Sequence, residues 1–246
     1  MKSLPGIRVI LFDIDGTLVS SQMSEFDERK RYIDAVYEVT GKRPVVEPSR
    51  FAGMVDPQIC KIILTETGVV GDLLDSCLPK VLARMTETYQ KMPKQVLLNR
   101  GVKELLNILS HSTNHVLGVL TGNISAIAGQ KLTVTGISRY FKEGFYADNY
   151  DDRNRLVQDA VRTCVSKYSL INTKAVIIIG DTPLDVIAAR AGHATSIGIA
   201  SGVYSMDALS QAGATFILRD LTPTNELLTA IAFQSSNSAI SPQPST

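Results

Sequence analysis

Short, almost fully apolar runs recur along this 246-residue chain and constrain its fold more than any other feature. The runs are rich in β-branched side chains and are bounded by Gly, Asp, Asn or Ser. They are Ile7–Phe12, Val116–Leu120, Ala175–Ile179, Thr195–Ile199 and Thr215–Leu218. Apolar runs without alternation are typical of strands buried on both faces, as in a parallel sheet. Helical patterns separate the later runs, so the sequence predicts an α/β fold with a doubly wound, Rossmann-like parallel sheet.

The segment between the first run and Pro93 has no convincing strand pattern and several helical ones, one of which ends at Gly41. We therefore predict an all-helical cap domain over residues 20–95, inserted into a catalytic core formed by residues 1–19 and 96–234. Residues 235–246 are rich in Ser, Pro and Gln. Because so little apolar surface cannot offset the entropy of ordering, we expect a disordered tail there.

Charge and cysteine content exclude several classes of protein. The 25 basic and 24 acidic residues give a net charge of +1. The sequence contains no block of like charge that would predict binding to nucleic acid or to a membrane surface. No apolar run approaches the ~18 residues of a membrane span, and residues 1–6 lack the pattern of a signal peptide. Three widely spaced cysteines fit neither a disulfide framework nor a zinc site. We expect a reducing location, the cytoplasm.

Two acids follow the first apolar run, in the segment Asp13-Ile14-Asp15-Gly16. Ligands of open α/β sheets bind at the carboxyl ends of the strands, so both carboxylates are expected in the binding crevice. Neighbouring anions repel each other, and a divalent cation would relieve that repulsion. A simple turn at the end of the strand explains Asp15 and Gly16 but leaves Asp13 without a role.

Two further segments follow apolar runs. Thr121-Gly122-Asn123 offers a hydroxyl and backbone N–H groups to a phosphate, although without the other segments an ordinary helix cap or βα turn would be the better explanation. Asp181 follows the third run directly, and Asp185 lies in the first turn of the helix expected after it. Capping of that helix accounts for one of these acids but not for both.

A fourth segment, Asp151-Asp152-Arg153-Asn154-Arg155, precedes a predicted helix. A cation from this segment would neutralise phosphate charge and keep a nucleophilic carboxylate ionised. The alternative is a solvated loop in which the acids and arginines pair locally.

Taken together, the four segments resemble the haloacid dehalogenase-like hydrolase superfamily over residues 7–220. The specific pair is DIDGTL followed far downstream by GDTPLD. Within the superfamily the chain is similar to phosphoglycolate-phosphatase-like members, which carry a helical cap after the first motif. The segment from Gly53 to Ile59 looks like a cap segment of that group.

The resemblance implies a role for each motif residue. It implies that Asp13 is the nucleophile, which forms an aspartyl-phosphate, and that Asp15 is the acid and then the base. Thr121 matches the hydroxyl that binds phosphate, in a loop completed by Gly122 and Asn123.

The same resemblance implies a Mg²⁺ site. Its ligands would be Asp13, Asp181 and the main-chain carbonyl of Asp15, with Asp185 as the supporting acid. The family normally presents a lysine in the third motif, and no Lys-Pro occurs in this sequence. Arg153 is the best match to that cation and Arg155 is the alternative.

Both acids of the first motif favour phosphoryl transfer, because an alkoxide leaving group needs a proton donor and a halide does not. We therefore predict a magnesium-dependent phosphatase that hydrolyses a small phosphorylated metabolite through an aspartyl-phosphate. One alternative is a phosphosugar mutase of the same superfamily. The other is a non-catalytic binding protein on this fold. The sequence indicates neither the identity of the substrate nor the oligomeric state.

Overall fold

A computed structural model describes residues 6–21, 25–92 and 96–232. The strands of these residues are β1 (Arg8–Phe12), β2 (Val19–Ser21), β3 (Val96–Leu98), β4 (His115–Leu120), β5 (Glu143–Phe145), β6 (Val176–Gly180), β7 (Thr195–Ile199) and β8 (Phe216–Leu218). Six of them form one parallel sheet in the order β5-β4-β1-β6-β7-β8. The five predicted strands are confirmed to within a residue at each end.

Helices fill the connections between the strands. They are α1 (Glu25–Thr40), α2 (Asp56–Glu66), α3 (Asp72–Lys91), α4 (Val102–Ser110), α5 (Ser125–Val134), α6 (Arg153–Tyr168), α7 (Pro183–Ala191), α8 (Met206–Gln211) and α9 (Asn225–Ala232). Alternate side chains of β1 point to opposite faces of the sheet. Ile10 and Phe12 belong to a core with α4 and α9, whereas Val9 and Leu11 belong to a core with α6 and α7. The predicted doubly wound α/β fold is therefore confirmed.

Helices α1, α2 and α3 follow β1 and β2 and pack around a hydrophobic core of their own. This core includes Val36, Ile63 and Met85, and it continues into the sheet domain through Ile124 and Ile127. The inserted all-helical cap is confirmed as part of the fold class. Its exact boundaries, 20 and 95, remain a prediction.

Two predictions about strands were incomplete. Strands β2 and β3 pair antiparallel, with Ser20 opposite Leu97, at the place where the chain enters and leaves the cap. Strand β5 is an edge strand of the main sheet, and it is only partly buried. Each of these strands has three residues. Runs this short carry no periodicity, so pairing with a neighbour rather than local sequence makes them strands.

Two expectations concern the ends of the chain and its relation to membranes. The predicted disordered tail, residues 235–246, lies outside the described residues. Within the described ranges, none of the helices combines the length and the apolar character that a membrane span requires.

Candidate active site

The carboxyl ends of β1, β4 and β6 and the beginning of α6 meet at a cavity of about 550 Å³. Seven of the residues predicted from the sequence line it, namely Asp13, Asp15, Thr121, Gly122, Asn123, Arg153 and Asp181. The cap covers the opposite side with residues that include Arg31, Tyr32 and Phe51. The topology of the sheet thus joins segments that are more than a hundred residues apart in the sequence.

Three buried carboxylates form the floor of the site. Asp13 follows β1, Asp181 follows β6 and Asp185 lies in the first turn of α7; an oxygen of each lies within 4.8 Å of the others. Burial raises the pKa of Asp13 to about 7, a rise that Arg153 opposes and that Asp185 reinforces. Burial, followed by the charges of Asp185 and Asp13, also holds the pKa of Asp181 well above its ordinary value. The floor therefore favours a bound cation or bound protons.

The loop after β1 is folded tightly against Asp181. Gly16 has a φ of +79°, and a Cβ atom there would lie 2.2 Å from Asp181 Oδ2, so only glycine permits this approach. The hydroxyl of Thr17 donates a hydrogen bond of 3.1 Å to Asp181 Oδ1. Asn99 and Ser201 donate to the Gly16 carbonyl at 2.8 and 2.7 Å. The oxygen atoms gathered here are hard metal ligands, the kind that Mg²⁺ prefers.

Arg153 is the first residue of α6, and its side chain points into the site. Its Nη2 lies 3.2 Å from Asp13 Oδ1 and also donates to Asp185, while Nη1 donates to the Gly53 carbonyl at 2.9 Å. Burial lowers the pKa of Arg153, but the carboxylates of Asp185 and Asp13 outweigh it and raise the pKa above its ordinary value. The guanidinium therefore stays charged beside the predicted nucleophile. The alternative cation, Arg155, is exposed to solvent.

The acids that precede Arg153 are engaged elsewhere. The carboxylate of Asp152 accepts a hydrogen bond of 2.9 Å from the backbone N–H of Asn154 and so caps α6. Asp151 lies 3.7 Å from Lys61 of the cap. Arg153 can point into the site because the N-cap of α6 is formed by the side chain of Asp152, the residue before Arg153.

Thr121, buried at the end of β4, accepts a hydrogen bond of 3.2 Å from the Asn123 N–H through its hydroxyl. The neighbouring Gly122 touches the cap, since its carbonyl accepts from the Asp56 N–H at 2.7 Å. A Cβ atom at Gly122 would lie 2.3 Å from the Met54 carbonyl oxygen, so a larger residue would displace the cap segment. The loop predicted to bind phosphate is therefore also the place where the cap docks on the core.

Sequence reasoning missed Asp56, which joins the cap to this loop. Its Oδ2 accepts a hydrogen bond of 3.0 Å from the Ile124 N–H, and its Oδ1 accepts one of 2.7 Å from the Tyr32 hydroxyl. Arg31 lies 3.4 Å from the same Oδ1. An acid before a proline at a helix start is typical of an ordinary helix terminus, so nothing local indicated these distant partners.

Sequence reasoning also missed Lys131, whose Nζ donates hydrogen bonds of 2.6 and 2.5 Å to the two carboxylate oxygens of Asp15. Partial desolvation raises the pKa of Asp15, whose side chain is still partly exposed to the cavity, but the charge and hydrogen bonds of Lys131 outweigh it, so the pKa lies below its ordinary value. A signal did exist in the sequence. Helical spacing puts Lys131 on the same buried face of α5 as Ile127 and Ala128, where an unpaired charge would be costly.

Both the sequence and the fold of this chain match known proteins. The sequence model of the family described as haloacid dehalogenase-like hydrolase matches residues 10–199. The chain belongs to the haloacid dehalogenase-like hydrolases. A phosphoglycolate phosphatase of Pseudomonas fluorescens is 24% identical over 221 residues, covering 87% of this chain and 77% of that protein. One of Photobacterium profundum is 25% identical over 206 residues, covering 82% of this chain and 87% of that protein.

A solved structure extends the comparison to three dimensions. A hydrolase from Pseudomonas syringae matches with a TM-score of 0.69 at 23% identity, covering 90% of this chain and 96% of that chain. Identity this low shows a common fold alone. The predicted family is confirmed, with its phosphoglycolate-phosphatase-like character and the enzyme class of phosphoric monoester hydrolase. The roles of the individual residues in this haloacid dehalogenase-like hydrolase remain predictions.

Proposed function

We propose that the chain is a Mg²⁺-dependent phosphatase that hydrolyses a small phosphorylated metabolite through an aspartyl-phosphate on Asp13. One observation carries this proposal: Asp13, Asp181 and Asp185 are buried together, and Arg153 lies against the first and third of them. A carboxylate nucleophile, a cation for the phosphate and ligands for a metal are thus within reach of one small ligand.

The metal would be held by Asp13, Asp181 and the main-chain carbonyl of Asp15, with Asp185 supporting them. The raised pKa values of Asp13 and Asp181 support this assignment, because a cation would relieve the unfavourable burial of their charges. When bound, Mg²⁺ supplies positive charge that stabilises the charge of the phosphoryl group.

The protein itself supplies the nucleophile and the groups that bind the phosphate. Asp13 attacks phosphorus, and the guanidinium of Arg153 neutralises phosphate charge beside it. The hydroxyl of Thr121 and the backbone N–H groups of Gly122 and Asn123 would bind phosphate oxygens. Removal of bulk water by the cap would strengthen each of these electrostatic contacts.

Asp15, the second acid in the loop after β1, is the proposed proton donor. It would protonate the leaving oxygen and later take a proton from the water that attacks the aspartyl-phosphate. Its carboxylate lines the cavity, which supports this role. An alkyl phosphate needs such a donor, so the pair of acids favours phosphate esters over halides.

The cavity of about 550 Å³ is large enough for a small metabolite. Arg29 and Arg31 line its cap side, which suits an anionic substrate. Phosphoglycolate is the first compound to test, because two relatives are phosphoglycolate phosphatases. A reducing, cytoplasmic location suits the three buried free cysteines.

The test is release of inorganic phosphate from a panel of phosphorylated metabolites, with Mg²⁺ and with chelator, for the parent and for Asp13→Asn. We expect Mg²⁺-dependent release by the parent, and less than about 1% of that rate for the variant, whose amide cannot act as the nucleophile. Undiminished release after chelation would contradict the metal. Interconversion of sugar phosphates without release would favour the mutase, and no turnover of any kind would favour a binding protein.

A further inference from the structure

Lys131 of α5 is a lysine buried inside the protein, with 1% of its side chain exposed. Its ammonium group donates hydrogen bonds to both carboxylate oxygens of Asp15, and a third of 2.8 Å to Asn123 Oδ1. The ring of Tyr89, on cap helix α3, has its centroid 5.7 Å from the ammonium nitrogen. An ammonium group has three N–H donors, so these three hydrogen bonds can engage one donor each.

The two partners of this ion pair differ in their access to the cavity. The side chain of Asp15 is 41% exposed and lines the cavity, whereas Lys131 lies almost completely inside the protein. Lys131 thus stands behind Asp15 and cannot itself reach a ligand without movement. Two hydrogen bonds to one carboxylate restrict its rotation more than a single contact would.

Burying a lysine costs free energy that a purely structural side chain at this position would not incur. A methionine or leucine at this position of α5 would bury no charge. The distinctive consequence of the lysine is a fixed positive charge beside the carboxylate of Asp15.

We propose that Lys131 is a positioning residue for the reaction: it holds the Asp15 carboxylate toward the cavity and stabilises the negative charge that Asp15 gains as its proton passes to the leaving oxygen. This inference rests on the proposed function, in which Asp15 is the acid. The geometry is that of a preorganised charge placed where negative charge develops.

The steps balance in protons and bonds. A phosphate monoester has a second pKa of about 6, so a fraction of it reaches the site with one proton, which the Asp15 carboxylate takes up. Asp13 then attacks phosphorus, the ester bond breaks, and the leaving oxygen receives the proton from Asp15, which returns to the carboxylate bound by Lys131. In the second half Asp15 takes a proton from water, the hydroxide oxygen bonds to phosphorus, and the aspartyl-phosphate bond breaks to restore Asp13. Asp15 then passes this proton to the departing phosphate and is again the carboxylate bound by Lys131.

The dependence of the rate on the leaving group separates this role from a structural one. p-Nitrophenolate leaves without a proton, whereas the alkoxides of phosphoglycolate and glycerol 2-phosphate need one. We expect Lys131→Met to lower kcat for the alkyl esters about 100- to 1,000-fold, in the lower part of the range that general acid catalysis contributes, and to lower kcat for p-nitrophenyl phosphate less than about 10-fold. KM should change little for either class of ester.

Three other variants complete the experiment. Asp15→Asn should show the same selective loss, since it removes the acid itself, and the exposed Lys103→Met is the control for loss of a lysine. Lys131→Gln keeps a polar group at the position and serves if the methionine variant does not fold. It should also lose activity selectively on alkyl esters, because an amide carries no positive charge.

The outcomes distinguish the two proposals. Selective loss in the Asp15 and Lys131 variants supports the positioning role. Selective loss in Asp15→Asn alone, or equal losses on alkyl and aryl esters in both Lys131 variants, would overturn it and leave the proposed phosphatase intact. A parent that releases phosphate from no member of the metabolite panel, or an Asp13→Asn variant with parental rates, would overturn the phosphatase proposal together with this one.

Discussion

Arg153→Ala is the substitution whose effect the structure allows us to estimate most closely. It removes a buried guanidinium that contacts Asp13 at 3.2 Å, donates to Asp185 and binds the Gly53 carbonyl. Loss of one preorganised donor at a developing charge costs about 2–4 kcal/mol of transition-state stabilisation. At ~1.4 kcal/mol per tenfold, kcat/KM should fall about 30- to 1,000-fold.

The same substitution affects stability. Removing one partner of a buried ion pair costs about 3–5 kcal/mol, because the remaining charge is left in the interior. For Arg153 the cost should lie near the lower end, since the raised pKa of Asp13 shows that this acid can take up a proton. Activity is therefore measured in saturating Mg²⁺ at a temperature where thermal melts show every variant to be folded.

Two further variants make the result specific. Arg153→Lys keeps the positive charge but replaces the planar guanidinium, with its several N–H donors, by a compact ammonium group. It should therefore recover part of the lost kcat/KM. Arg155→Ala removes the exposed neighbour on the same helix and should retain the parental rate. A large loss in Arg155→Ala with a parental rate in Arg153→Ala would refute the assignment. Parental rates in all three variants would mean that another cation serves the phosphate.

Three other predictions concern the metal, the docking loop and the cap. Because the folded pKa of Asp13, about 7, exceeds its unfolded value, the metal-free folded state holds more protons between pH 4 and 7, and the contribution of this acid to stability falls as pH rises through that window. At a fixed concentration, a hundred times the Kd of the parent at pH 7.5, Mg²⁺ should thus raise Tm by about 5–10 °C at pH 7.5 and by less at pH 5.5. An equal shift at both pH values, or an undiminished shift in Asp181→Ala at that same concentration, would contradict the site. Gly122→Ala should lower kcat/KM at least about 10-fold through its 2.3 Å clash, whereas Gly129→Ala, with open space around it in α5, should be neutral or stabilising in thermal melts. Asp56→Ala should lower the free energy of unfolding by about 3–5 kcal/mol in urea titrations, and Asp56→Asn should lower it by less, since the amide keeps a hydrogen-bond acceptor. Equal losses in the two variants would contradict the expectation that the retained acceptor preserves part of the stability.

Local sequence determined the parts of the protein that depend on nearest neighbours along the chain. Apart from Arg8, the run before Asp13 is apolar on both faces, which is typical of a buried strand, and a residue directly after such a strand lies at its carboxyl end. The same reasoning applied to Thr121 and Asp181. Because parallel strands end on the same side, the sequence alone predicted that these residues share one crevice.

Tertiary packing decided what those residues contact. Asp15 meets Lys131 across 116 positions and Arg153 meets Asp185 across 32, separations over which no local preference acts. The short strands β2, β3 and β5 likewise exist because a partner strand is present. Direction is decided in the same way: Arg153 and Arg155 lie two residues apart on one helix, yet only the first faces the acids, because the turn of α6 and its packing on the sheet bury one side of that helix and leave the other in water.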